Sequence, residues 1–152
     1  MTRNVHGTAI VVGERGLIFL GPSGIGKSMM AFTCLAIARR AGAFSALISD
    51  DQVFINQQDN QIVAACPPSI TGLMELRGSG IITMDHIQSA PLDLAVQLVS
   101  APGTERLPPE NEHWQIEGFG KLPLVRIANT AADPLAVIGA LMPAWRQEAP
   151  FW

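Results

Sequence analysis

Basic residues are few. The 10 lysines and arginines against 13 aspartates and glutamates give a net charge of −3 over 152 residues. They are scattered along the chain, which excludes a nucleic-acid face built on composition. Cysteine is scarcer still, with 2 residues, Cys34 and Cys66. They form no C-x-x-C pair and join no histidine at zinc-ligand spacing, so a disulfide framework and a structural zinc site are excluded. Cys34 reads as a small core residue and Cys66 precedes Pro67-Pro68. The chain also has no apolar run of membrane length. Ser28 to Ala38, the longest uncharged stretch near the glycine-rich segment discussed next, is too short to span a bilayer and reads as a buried helix. Met1-Thr2-Arg3-Asn4-Val5-His6 carries no signal-peptide apolar core. A reducing, cytoplasmic setting is expected, with neither nucleic acid nor membrane as partner. No internal repeat or low-complexity tract is present.

What is there is hydrophobic and punctuated. Hydrophobic residues make up 48% and charged residues 15%, which argues against disorder. The length suits one domain with a substantial core, assigned to 1–152. The most informative segment is Gly21-Pro22-Ser23-Gly24-Ile25-Gly26-Lys27-Ser28, which satisfies the G-x-x-x-x-G-K-[ST] phosphate loop. Its glycines let backbone N–H groups turn toward phosphate oxygens. Lys27 supplies a charge for the outer phosphates, and the Ser28 hydroxyl is a Mg²⁺ ligand candidate. A strand-like run, Leu17 to Leu20, precedes the loop and a helix from about Lys27 to Ala41 follows, adding its positive end. Gly42 suits the C′ position of that helix.

Thr8 to Val12 and Leu17 to Leu20 read as strands joined by a turn at Gly13-Glu14-Arg15-Gly16. Phe44 to Ile48 reads as a buried strand ending at Ser49-Asp50-Asp51. Val53 to Asn56 and Ile62 to Ala65 form a hairpin turning at Asp59-Asn60. Ser69 or Thr71 is expected to cap a short helix around Leu73 to Leu76. Ile81 to Met84, Leu92 to Val99 and Leu122 to Ile127 are strands, and residues 101–121 a mobile connection. Asp133-Pro134 caps and opens a helix to about Met142, stopped by Pro143. Trp145, Phe151 and Trp152 are expected on the surface.

Asp50-Asp51 follows an apolar strand, where an acid commonly sits near Mg²⁺. Two adjacent acids permit two roles, one for metal and one for protons, because neighbouring side chains diverge at a strand end. Glu75-Leu76-Arg77-Gly78-Ser79-Gly80-Ile81-Ile82 is a second cluster. There Glu75 suits a metal shell, Arg77 suits phosphate through its planar fork, and the glycines permit close backbone approach. His6-Gly7 begins the first strand. His86 and His113 receive no role.

His6-Gly7, the Gly13–Gly16 turn, the loop Gly21–Ser28, Asp50-Asp51 and the Glu75–Ile82 cluster, in this order and spacing, resemble the catalytic domain of HPr kinase/phosphorylase. The resemblance covers Val5 to about Ile82. It implies a single α/β domain with a mixed β-sheet and a nucleotide-binding fold like that of phosphoenolpyruvate carboxykinase. It also implies an ATP-dependent serine kinase acting on HPr, a phosphocarrier of the sugar phosphotransferase system. Pyrophosphate and inorganic phosphate enter as co-substrates, the latter in a reverse phosphorolysis. A homo-oligomer, hexameric as in full-length members, is implied too. Residue by residue, the resemblance gives Asp50 proton transfer, and Asp51, Glu75 and Ser28 the Mg²⁺. It gives Lys27 and the loop the phosphates, His6 a place beside them, and Arg106 of Glu105-Arg106-Leu107 a role near the phosphate. Ser79 replaces the family's usual Leu, the late basic segment is reduced to Pro123-Leu124-Val125-Arg126, and Asp133 to Met142 stands for the family's long C-terminal helix. These departures resemble the short forms of alphaproteobacteria, which lack the N-terminal domain. Two other classes fit a phosphate loop: a small-molecule kinase, and a nucleotide sensor using the C-terminal aromatics as a contact patch.

Overall fold

The structure is a computed structural model, and it describes residues 1–100 and 107–152. The elements run β1 (Arg3–His6), β2 (Thr8–Val12), β3 (Arg15–Leu20), α1 (Lys27–Arg40), β4 (Ser45–Ser49), β5 (Gln52–Gln58) and β6 (Gln61–Ala65). They continue as β7 (Leu73–Leu76), β8 (Gly80–Thr83), β9 (Ser89–Pro91), β10 (Leu94–Val99), β11 (His113–Ile116), β12 (Gly120–Ala128) and α2 (Pro134–Leu141). The six-stranded sheet has the order β11-β12-β10-β3-β2-β4. It is mixed: β10 runs parallel to β3 and β12, whereas β2 is antiparallel to both β3 and β4. A four-stranded antiparallel sheet, β1-β5-β6-β9, and a ribbon, β7-β8, complete it.

The apolar runs of the central strands follow from burial on both faces. Ile10, Val12, Leu17 and Phe19 point into a core shared with α1 and α2. Their alternate neighbours Ala9, Val11, Ile18 and Leu20 enter a second core shared with the four-stranded sheet. Period-two geometry sends successive side chains to opposite faces, so a strand between two cores shows no polar alternation.

Local chemistry closes the elements as the sequence predicts. The helix α1 ends in a Schellman motif, with Ala43 N–H on Ala38 O and Gly42 N–H on Arg39 O. Asp133 caps α2 by accepting from Ala136 N–H at 2.9 Å. Asp59 and Asn60 both take positive φ, as a tight two-residue hairpin turn requires.

Three expectations are corrected. Leu73–Leu76 is a strand, not a helix. Met74 and Leu76 are buried while Leu73 and Glu75 face outward, a period of two rather than 3.6. Residues 113–116, expected within a connection, pair with β12 as β11. The C-terminal aromatics are not a surface patch: Trp145 and Phe151 are each 7% exposed. Phe151 meets both Trp145 and Trp152 edge to face, and the Arg15 guanidinium lies 4.4 Å from the centre of the Trp145 ring. Gly139 admits this tail, because a Cβ there would lie 2.2 Å from the Trp152 carbonyl oxygen.

Two chain crossings define one place in this architecture. Between β1 and β2 the chain passes from the four-stranded to the six-stranded sheet at Gly7, and between β4 and β5 it passes back at Asp50-Asp51. The crossings are joined by a hydrogen bond from Gly7 N–H to Asp51 O at 3.2 Å.

Candidate active site

The phosphate loop leaves the end of β3 and enters α1 at Lys27. Gly24 and Gly26 take φ of 84° and 109°, a region that L side chains rarely occupy, so the motif's glycines are required by the backbone itself. Asn129, at the end of β12, donates from Nδ2 to Ile25 O at 3.1 Å and ties the loop to the sheet. Lys27 Nζ donates to Gly21 O at 2.8 Å and Pro22 O at 3.1 Å. Burial holds the Lys27 ammonium below the usual lysine range, opposed by the attraction of Asp51 and Asp50.

The adjacent acids divide. Asp50 is 5% exposed. Its Oδ1 accepts from Ser28 Oγ at 2.6 Å and Thr8 Oγ1 at 2.9 Å, and its Oδ2 from Glu75 N–H at 3.1 Å. The carboxylate is thus held at the base of the loop by three donors. Asp51 is the opposite case. Its side chain is 69% exposed, and its Oδ1 lies 2.9 Å from His6 Nε2. Its φ is +71°, and Gln52 N–H donates to Asp50 O at 2.8 Å across it. A bond from residue i to i+2 around a positive φ is a strained γ-turn, which turns the Asp51 side chain away from that of Asp50.

His6, Ser23, Gly24, Gly26, Lys27 and Ser28 line one cleft of about 220 Å³ with Asp50, Asp51, Glu75 and Arg77. The structure therefore brings together every predicted site side chain it describes outside the loop's own Gly21, Pro22 and Ile25, which shape the loop. Arg106 lies outside the described residues. Thr8 and Met29, which also line the cleft, and Asn129 were not singled out from sequence. Thr8 sits two residues after His6 in a wholly buried strand, and a polar residue inside an apolar run is the one signal that marks it. Asn129 carries none, because its partner lies 104 residues away.

The donor set is hard: carboxylate and hydroxyl oxygens beside a cationic loop. No group of three or more His, Cys, Asp or Glu capable of caging a metal occurs among the described residues. The carboxylate and hydroxyl oxygens fit Mg²⁺, which is held by one or two carboxylates with substrate phosphates and water.

Residues 1–142 match the family model described as HPr Serine kinase C-terminal domain. The chain is 38% identical over 89 residues to the HPr kinase/phosphorylase of Lacticaseibacillus casei (strain BL23), covering 58% of this chain and 26% of that one. It is 31% identical over 144 residues to the HPr kinase/phosphorylase of Cupriavidus metallidurans, covering 88% and 42%. The chain spans between about a quarter and under half of the length of these curated relatives. A solved structure described as the Hpr(Ser) kinase/phosphatase from Coxiella burnetii superposes with a TM-score of 0.72 at 22% identity, covering 96% of this chain and 97% of that one. That likeness shows the same mixed α/β fold.

Proposed function

The chain belongs to the HPr serine kinase C-terminal domain family, and from that membership we propose that it phosphorylates a serine of an HPr-type phosphocarrier with ATP. The observation that carries the reading is the division of labour between Asp50 and Asp51 on one phosphate-loop cleft. Asp50 is the inner acid, at the base of the cleft and hydrogen-bonded to the loop's Ser28, the place of a carboxylate that supports the metal. Asp51 stands open beside His6.

In this reading the roles implied by resemblance are exchanged. Asp50, with Ser28 and Glu75, holds Mg²⁺. Asp51 takes the serine proton, oriented by His6. When bound, Mg²⁺ neutralises phosphate charge. Lys27 and the N–H groups of Gly24 and Gly26 hold the phosphates, so that catalysis is positioning plus electrostatics. The serine oxygen forms a bond to the terminal phosphorus, the bond to the ADP oxygen breaks, and the serine proton passes to Asp51. In the reverse direction an oxygen of inorganic phosphate bonds to the phosphoserine phosphorus to form pyrophosphate, the bond from phosphorus to the serine oxygen breaks, and protonated Asp51 gives its proton to that departing oxygen.

Residues 1–152 act as one catalytic domain of a cytoplasmic homo-oligomer, hexameric by family resemblance, and Arg106 keeps the phosphate role that the resemblance implies. Neither nucleic acid nor membrane is a partner in this reading, and no helix among the described residues is long and apolar enough to cross a membrane. The small-molecule kinase finds no support in the family match. The sensor reading loses its contact patch, because Trp145 and Phe151 are buried.

Intact mass of an HPr-type carrier after incubation with the protein, ATP and Mg²⁺ tests the proposal. A gain of one phosphoryl group is expected, absent with a carrier lacking its target serine and with the enzyme variant Asp51→Asn. No gain, with ATP binding verified in parallel, overturns it.

A further inference from the structure

Two grooves meet at the His6–Asp51 pair. One is the phosphate-loop cleft, which carries Lys27 and Arg77. The other is more open and lined by Asn4, His6, Ser23, Asp51 and Gln52. His6, Ser23 and Asp51 belong to both. The second groove has no lysine or arginine among its lining residues.

Strand pairing explains its lining. His6 lies directly opposite Gln52 in the β1–β5 pair, and Asn4 is two residues before His6. Period two puts Asn4, His6 and Gln52 on one face of the pair, while the half-buried Val5 packs on the other against the second core. Asn4 Nδ2 donates to Gln52 Oε1 at 3.4 Å, a long contact. Asn4 Oδ1 and Gln52 Nε2 have no hydrogen-bond partner among the described residues.

We propose that this second groove is the acceptor subsite, in which the Asn4 and Gln52 carboxamides hold the main chain of a serine-bearing protein segment and deliver its hydroxyl to Asp51. The inference rests on the protein-serine kinase reading above and adds the acceptor side to it. Carboxamides offer a donor and an acceptor side by side, the complement of a peptide group. A small acid or phosphorylated metabolite calls for cations, and no lysine or arginine among the described residues lines this groove. Its openness to solvent suits a macromolecule, since small-ligand sites enclose most of their ligand's surface. The two grooves share His6, Ser23 and Asp51, so an acceptor held in the second would meet the phosphate cleft at Asp51.

Asn4 and Gln52 are exposed, so their removal leaves the fold intact. The test is the double variant Asn4→Ala, Gln52→Ala in steady-state transfer to an HPr-type carrier. The acceptor KM is expected to rise about tenfold, the loss of two ordinary hydrogen bonds, with the change falling on KM rather than kcat. The ATP KM stays at the wild-type value. The exchanged variant Asn4→Gln, Gln52→Asn recovers part of the acceptor affinity. An unchanged acceptor KM, or an equal rise in the ATP KM, overturns the acceptor subsite while the kinase reading stands. Failure of the wild-type enzyme to phosphorylate the carrier overturns both.

Discussion

The Ser28 hydroxyl donates to the Asp50 carboxylate at 2.6 Å, across 22 residues of chain, and on this contact rests the proposal that Asp50, not Asp51, is the acid that would face the metal. Replacement of Asp50 by Asn keeps the shape and leaves an oxygen for Glu75 N–H, but removes the charge that draws Mg²⁺. Calorimetry of ATP binding with and without Mg²⁺ separates the two acids. Asp50→Asn is expected to lose about tenfold or more of the Mg²⁺-dependent gain in affinity, and Asp51→Asn to keep it. The reverse result would return the metal to Asp51 and the proton to Asp50.

Asp51 is held at φ +71° in its γ-turn, and that strain is measurable apart from its chemistry. Asp51→Ala and Asp51→Gly both delete the carboxylate and its exposed pair with His6. Only glycine relieves the left-handed backbone. The glycine variant is expected to be more stable than the alanine variant by about 1–2 kcal/mol. For a domain of this size that is a difference in thermal midpoint of several degrees. Neither variant transfers phosphate. Identical midpoints would show that the turn stores no strain.

The parts of this molecule that were legible in sequence are those whose physics is local. The phosphate loop, the Gly42 stop of α1, the Asp133 cap and the Asp59-Asn60 turn each depend on residues within a few positions of one another. The side chains that line the cleft were legible as a group, because the loop and the two acidic clusters carry charge in otherwise apolar surroundings. Their roles were not. Asp50 and Asp51 are indistinguishable by type, and only the crossing between two sheets buries one and exposes the other. Leu73–Leu76 is too short for its periodicity to separate helix from strand. The burial of the tail depends on Arg15, which pairs with Glu148 across 133 residues.

That tail contact yields a pH dependence. Asp93 lies where the loop before β10 meets the β2–β3 turn. Its Oδ2 accepts from Gly16 N–H at 2.8 Å, and its Oδ1 is 3.6 Å from Arg15. Arg15 is shared with Glu148 and stacks on Trp145. Burial raises the Asp93 carboxyl above the usual aspartate range. The Gly16 N–H and Arg15 act against that rise, and Glu148 adds to it. A carboxyl whose pKa is higher folded than unfolded favours the fold in its protonated form. This contribution is complete below the ordinary aspartate value of about 4 and is lost as pH climbs through the raised folded value. Urea unfolding across mildly acidic pH should therefore show wild-type stability falling with rising pH relative to Asp93→Asn, which keeps an acceptor for Gly16 and cannot ionise. Parallel profiles for the two proteins would mean that Arg15 already neutralises Asp93 in full, and that burial sets nothing at this position.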